Sequence, residues 1–187
     1  VKGFLSRDKD PSRRHKIWKV RKNVMAVAGG KYTTYRQVAE EVAKKVVNTV
    51  SSSLFFRSLT RKLPLYGGEI PDLMRYAVKK FPVEQNIYPV DKVLYTHIVM
   101  FYGSVYADVL SVICEDTSYQ DTLTGSHHYK GEVIYAIRSE LARRIDDFMR
   151  RRTRLFFQTG FGVECIEEVA TLFQQELGWT LKQRRAE

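Results

Sequence analysis

The stretch Val24-Met25-Ala26-Val27-Ala28-Gly29-Gly30-Lys31-Tyr32-Thr33-Thr34-Tyr35-Arg36 holds the change of period that decides the fold. Its first five residues are continuously apolar, as in a strand covered on both faces. Gly29-Gly30 stops the strand. From Thr33 the spacing turns helical, with Val38, Val42 and Val46 beside Ala39, Ala43 and Val50 on one face, and Arg36, Glu40, Glu41 and Lys44 opposite. Thr33 or Thr34 is placed to cap that helix through its hydroxyl. Ile17-Trp18-Lys19-Val20 reads as another extended run.

Downstream, the pattern is helical throughout. Pro64 and Gly67-Gly68 mark residues 58–69 as a loop. A short helix is expected from Pro71 to Phe81, closed by Pro82. Val90, Leu94, Ile98 and Phe101 mark the next helix, ended by Gly103, and Ser104 is expected to cap a fourth that runs to about Cys114. Residues 115–130 are polar and loop-like. Ile134, Ile137, Leu141, Ile145 and Phe148 predict the longest helix, from Glu132 to about Phe156, broken by Gly160 and Gly162. The last helix runs from about Glu164 to Leu177, with acids in its first turn and Gly178 at its end. The expected fold is mainly α: about six helices in residues 33–187, preceded in 1–32 by strands left over from a sheet-containing domain.

The 187 residues suffice for one domain with a core, and 44% apolar content argues against disorder. No window approaches the roughly 18–20 uninterrupted apolar residues of a membrane helix. Cys114 and Cys165 make no disulfide framework and read as inert core thiols. The start, Val1-Lys2-Gly3, carries neither Met nor a signal peptide, and suggests a piece of something longer. The net charge of +10 is uneven: +8 in residues 1–31, +4 in 138–154 and +2 in 182–187, with about −4 elsewhere. Such basic segments fit either an anionic partner or a solvated surface. In Arg150-Arg151-Arg152-Thr153-Arg154 the arginines surround a helix, so at least one must face the interior or a neighbour; the run reads as a solvated helix end, or as a phosphate-binding segment or a buried ion pair with Asp146 or Asp147 at i+4. His127-His128 read as surface residues, His97 as a satisfied core or rim histidine, and no metal site is expected.

By spacing alone, the glycine turn is either a capped left-handed turn with Lys31 in solvent, or a close-approach loop with N–H groups and a cation facing an anionic ligand. Gly29-Gly30-Lys31-Tyr32-Thr33-Thr34-Tyr35-Arg36, followed by Ala39-Glu40, resembles the Gly-Gly-Lys-(Trp/Leu/Tyr)-Thr-Thr-Tyr-Arg signature of FAD-dependent glycerol-3-phosphate dehydrogenases. Phe101-Tyr102-Gly103-Ser104 with Val109-Leu110, the segment from Glu132 to Arg154, and Glu176-Leu177-Gly178-Trp179 are similar to later family segments in the same order.

The resemblance implies the C-terminal region of such an enzyme, without its N-terminal GxGxxG-bearing FAD domain and inactive alone. The family oxidises sn-glycerol 3-phosphate to dihydroxyacetone phosphate by hydride transfer to flavin, and passes the electrons to quinone. Carried over by position, Gly29, Gly30, Lys31, Tyr32, Thr33 and Thr34 would lie beside the flavin ring, their N–H groups stabilising charge at its N1–C2=O edge. Lys31 would be the catalytic cation. Arg13, in Ser12-Arg13-Arg14-His15, lines up with the arginine that binds the substrate phosphate. Only Gly3-Phe4-Leu5 stands where the family has Gly-(Val/Ile/Leu)-Arg-Pro-Leu, so no second phosphate arginine is assigned. The resemblance further implies peripheral membrane association, at the mitochondrial inner membrane in a eukaryote or the cytoplasmic face of the plasma membrane otherwise, and no nucleic-acid partner. The alternative is a basic helical module that binds nucleic acid or protein without catalysis; it would show salt-dependent binding.

Overall fold

A computed structural model describes residues 14–51, 53 and 55–187. Packing divides the chain into two compact units, Val1–Pro64 and Leu65–Glu187. In the first, β1 (Lys16–Arg21) and β2 (Val24–Ala28) form an antiparallel two-stranded ribbon, from Lys16 opposite Ala28 to Arg21 opposite Val24. Asn23, at φ +65°, makes the reversal. A 3-10 turn, Tyr32–Thr34, then leads into α1 (Tyr35–Val50). The sequence boundary at 32/33 followed the change of period; by packing, α1 belongs with the ribbon.

Two expectations fail in this unit. β2 is not covered on both faces: Val27 is 48% exposed, and among the described residues of the unit none is buried. A two-stranded ribbon is too narrow to cover a helix face, which leaves Val46 and Val50 of α1 exposed. Nor does either threonine cap α1. The Thr34 hydroxyl donates to the Lys31 carbonyl at 2.8 Å instead of accepting from a helix N–H.

The second unit is helical. α2 (Leu73–Glu84), α3 (Lys92–Tyr102), α4 (Tyr106–Ile113), α5 (Lys130–Ser139) and α6 (Ile166–Leu177) each pack on the next, and α7 (Leu181–Ala186) follows. Two apolar clusters share α5. Its Tyr135 joins Leu94, Ile98 and Leu110 on one side, while Val133, Ala136 and Ile137 join Phe148, Val169 and Phe173 on the other. Residues 131–137 are therefore buried without a break, and each large aliphatic there contributes about 1.5–3 kcal/mol. Arg138 clamps the end of α5, its Nε and Nη2 donating to Glu176 at 2.8 Å each and its Nη1 to Glu115 at 2.6 Å.

Lys92–Ile113 is long and apolar enough to cross a membrane by composition, but Gly103, at φ +58°, parts it into α3 and α4, and Leu94, Ile98, Val109 and Ile113 serve the core.

The predicted helix 132–156 does not form as one piece. α5 stops at Ser139, Leu141 takes φ +58° and lies 69% exposed, and a π-helical stretch spans Asp147–Arg152. Asp147 marks the restart: standing third in the new helix, its Oδ2 reaches back to accept the N–H groups of Arg143 and Arg144 at 2.9 and 3.0 Å, as the acid of a capping box does. Apolar spacing does not register that competition. Pro82 sits inside α2 rather than closing it, and Ser104 gives its hydroxyl to Glu69 instead of capping α4.

Gly103 is the tightest point of the unit. The Gly67 carbonyl accepts the Ser104 N–H at 3.0 Å, so a Cβ on Gly103 would overlap the Gly67 oxygen. Gly103→Ala should therefore cost about 2–4 kcal/mol through strain and overpacking. Gly160→Ala, with φ also positive but nothing within 4 Å of the new Cβ, should cost only about 1 kcal/mol. Denaturant unfolding followed by circular dichroism separates the two, and equal losses would contradict the close-approach argument.

Candidate functional site

The ribbon register brings the glycine turn to the start of the chain's described part. With Lys16 opposite Ala28, the next positions set Arg14 and His15 against Gly29 and Gly30. A Cβ on Gly29 would stand 3.0 Å from the Arg14 carbonyl oxygen, and one on Gly30 3.3 Å from the His15 Cβ. Both glycines have positive φ, +82° and +94°. They are needed for close approach and for backbone conformation alike.

The turn opens one end of a groove of about 620 Å³. Gly29, Gly30, Lys31 and Tyr32 form that end, and Val38, Ala39, Val42 and Ala43 of α1 form an apolar wall. Lys31 and Tyr32 are exposed, and the Tyr32 and Tyr35 rings lie 5.9 Å apart. Thr33 and Thr34 complete the turn; the Thr34 N–H donates to the Lys31 carbonyl at 3.0 Å, and the N–H groups ahead of it precede the first turn of the helix, where no helical carbonyl reaches them. A flat aromatic ligand with an anionic edge fits such a groove, apolar along one wall and carrying N–H groups and a cation at one end. Arg13 lies outside the described residues.

A second constellation sits in the helical unit. Glu132, fully buried in the first turn of α5, accepts from His97 Nε2 at 2.8 Å and from the Tyr129 N–H at 2.8 Å through Oε1. Its Oε2 accepts from His128 Nδ1 and the Tyr102 hydroxyl, both at 2.9 Å. A carboxylate only accepts, so each imidazole presents an N–H to it. Burial alone would raise the Glu132 carboxyl; hydrogen bonds and charge from His128 and His97 outweigh it and hold the group at about 2. Burial, with the same carboxylate beside it, pushes the Tyr102 hydroxyl well above its usual range.

His128 is thus 4% exposed, which corrects its assignment to the surface, while His97 is the satisfied histidine expected. The ligand atoms of His97, His128 and Glu132 lie within 4.8 Å of one another, close enough to hold a metal ion. Four donors already fill both carboxylate oxygens, so the cluster is complete as a hydrogen-bond network.

The arginine run is largely answered by acids. Arg150 pairs with Asp146 at 2.9 Å and stacks on Phe156, Arg151 pairs with Asp147, and Arg152 pairs with Glu140 at 2.9 Å. This is the ion-paired reading of the run. It removes much of the free cationic stripe that the nucleic-acid alternative needs. Both cysteines are free, and burial raises both thiols, as inert thiols require.

Residues 58–184 match the family described as the C-terminal domain of alpha-glycerophosphate oxidase. The chain belongs to this family. It is also 31% identical to glycerol-3-phosphate dehydrogenase 2 of Mycobacterium tuberculosis strain H37Rv, over 90% of this chain and 28% of that protein. Aerobic glycerol-3-phosphate dehydrogenase of Staphylococcus saprophyticus is 29% identical over 98% of the chain and 34% of its own length. A protein of Dictyostelium discoideum named probable mitochondrial glycerol-3-phosphate dehydrogenase is 26% identical over 94% and 27%. The chain spans about a third or less of these relatives. The family match covers nearly all of the helical unit; 98% coverage carries the likeness through the glycine turn as well.

Reasoning from sequence missed Glu132 and the pairing of His15 with Glu41. The i, i+4 spacing of His128 and Glu132 was the available signal, hidden because the histidine stood in a loop-like segment. Lowering of the Glu132 carboxyl from 4.5 to about 2 stabilises the folded form above pH 4.5. The contribution, about 3 kcal/mol, is lost as pH falls from 4.5 towards 2. Glu132→Gln should lose a similar amount at pH 7 and flatten the acid dependence over that window, measured by denaturant unfolding at pH 7, 4 and 3. An unchanged acid profile would remove Glu132 from this role.

Proposed function

We propose that this chain is the C-terminal part of an FAD-dependent glycerol-3-phosphate dehydrogenase, and that its glycine turn forms one wall of the flavin and substrate site. The observation that carries the reading is the seating of Arg14-His15 on Gly29-Gly30. It joins the segment bearing the proposed phosphate arginine to the turn bearing Lys31. The relatives' names supply the substrate.

A bound flavin supplies the hydride acceptor for oxidation of the C2 carbinol of glycerol 3-phosphate to the ketone of dihydroxyacetone phosphate. The turn Gly29 to Thr34 would hold the ring edge, with the backbone N–H groups ahead of Thr34 stabilising the negative charge that flavin chemistry develops there; the Thr34 N–H itself is taken by the Lys31 carbonyl. Lys31 adds a full charge at the same end of the groove. Val38, Val42 and the α1 alanines exclude water from one side. Arg13 grips the phosphate, a task suited to a guanidinium fork. The electrons pass on to a quinone.

Peripheral membrane association belongs to the same reading, at the mitochondrial inner membrane or the plasma membrane according to host. Exposed Phe157 and Phe161 beside the arginine run support it.

The test uses the full-length gene product. Its flavin bands should bleach when glycerol 3-phosphate is added without an electron acceptor, and Lys31→Ala should slow the bleaching by about 10²-fold. A colourless protein, or flavin bands indifferent to the substrate, would overturn the reading.

A further inference from the structure

Resting on the reading just given, we infer that His15 and Glu41 are a positioning pair that holds the phosphate-binding segment against the flavin-contacting glycine turn. His15 Nε2 lies 2.7 Å from Glu41 Oε2, and the histidine side chain is only 17% exposed. Glu41 stands on α1, and its other oxygen accepts from Gln37 Nε2 at 3.1 Å. One turn further on, Lys45 Nζ donates to the Ile17 carbonyl at 3.3 Å. Gln37, Glu41 and Lys45 recur at i, i+4 and i+8, so one stripe of α1 grips residues 15–17.

The grip reaches the turn through close approach of the two backbones. The His15 Cβ lies 3.3 Å from where a Gly30 Cβ would stand, and the Arg14 carbonyl oxygen 3.0 Å from that of Gly29. A shift of His15 therefore moves the surface on which both glycines rest. Neither His15 nor Glu41 lines the groove, so their part is not chemical contact with flavin or substrate. Hydrogen bonds from His15 and Gln37 also lower the Glu41 carboxyl, which keeps the acceptor charged at neutral pH.

A ribbon of two strands has little stiffness of its own, and no residue described in this unit is buried. Polar anchors have to supply the precision that a packed core supplies elsewhere. Misplacement of about 1 Å costs on the order of 10²-fold in rate, so loosening this anchor should be felt in the reaction even when the fold survives.

The experiment uses the full-length flavoprotein. His15→Ala should slow flavin reduction by glycerol 3-phosphate about 10–100-fold and raise KM about tenfold, with flavin still bound. His15→Gln, whose amide N–H can reach Glu41, should recover most of the rate. Adding Glu41→Ala to His15→Ala should cost little more, because the two act as one unit. A rate and KM within about twofold of the parent in His15→Ala would overturn the pair, as would full additivity.

Hydrogen exchange separates this from failure of the reading it rests on. If the unsubstituted protein does not respond to glycerol 3-phosphate, that reading falls. The pair is then judged by the amides of residues 29–34, which should exchange about tenfold faster in His15→Ala while those of the helical unit are unchanged. Unchanged exchange at 29–34 would sink the positioning role whatever the activity.

Discussion

The helical unit depends on one buried carboxylate. Over residues 131–137 α5 is covered on every side because two apolar clusters share it, and a helix stretch so covered has no solvent face for polar groups. Glu132 nevertheless stands in its first turn, fully buried. Four donors make this tolerable: two imidazoles, a phenol and a backbone N–H, with the positive end of the helix dipole behind them. The donors come from α3 and from the loop that precedes α5. The carboxylate therefore fixes how α3, that loop and α5 meet, and apolar packing fills the rest. Removing one member would strand the others in the interior, where an unpaired polar group is costly.

The first unit is built on a different principle. Its precision comes from register and from polar anchors, not from a core. Antiparallel pairing sets Arg14 and His15 over the glycine turn, and the turn's positive φ values let the two backbones close. His15 on Glu41 and Ile17 on Lys45 tie the ribbon to α1. What remains open is an apolar groove ending in a cation and helix-start N–H groups.

Much of the architecture was legible because burial leaves a periodic trace. The strand, the glycine stop and the change to helical period at Thr33 gave β2, the turn and α1 nearly in place. The apolar spacing of α2, α3, α4 and α6 did the same for the bundle. Two of the fold misjudgements share a cause. At Asp147 a side chain captures two backbone N–H groups and restarts the chain, so the stripe Ile137, Leu141, Ile145 does not lie on one helix and Leu141 faces out. At Ser104 the hydroxyl is taken by Glu69, far away in sequence. A local polar bond can override periodicity, and periodicity carries no sign of it.

The sequence by itself determined the helical class, the glycine turn with Lys31, and the family likeness, since these rest on residue types at short spacing. Only the tertiary structure decided that His128 is buried, that His97 and His128 close on one carboxylate, and that His15 reaches Glu41. Those groups lie 4, 26 and 35 positions from their partners. Even the nearest pair spans the start of a helix, where the direction of a side chain is set by what packs around it. The physical reason is that a polar residue's fate depends on which partner the fold delivers. A residue's own chemistry says what it can bond, and only the packed chain says whether that bond is made.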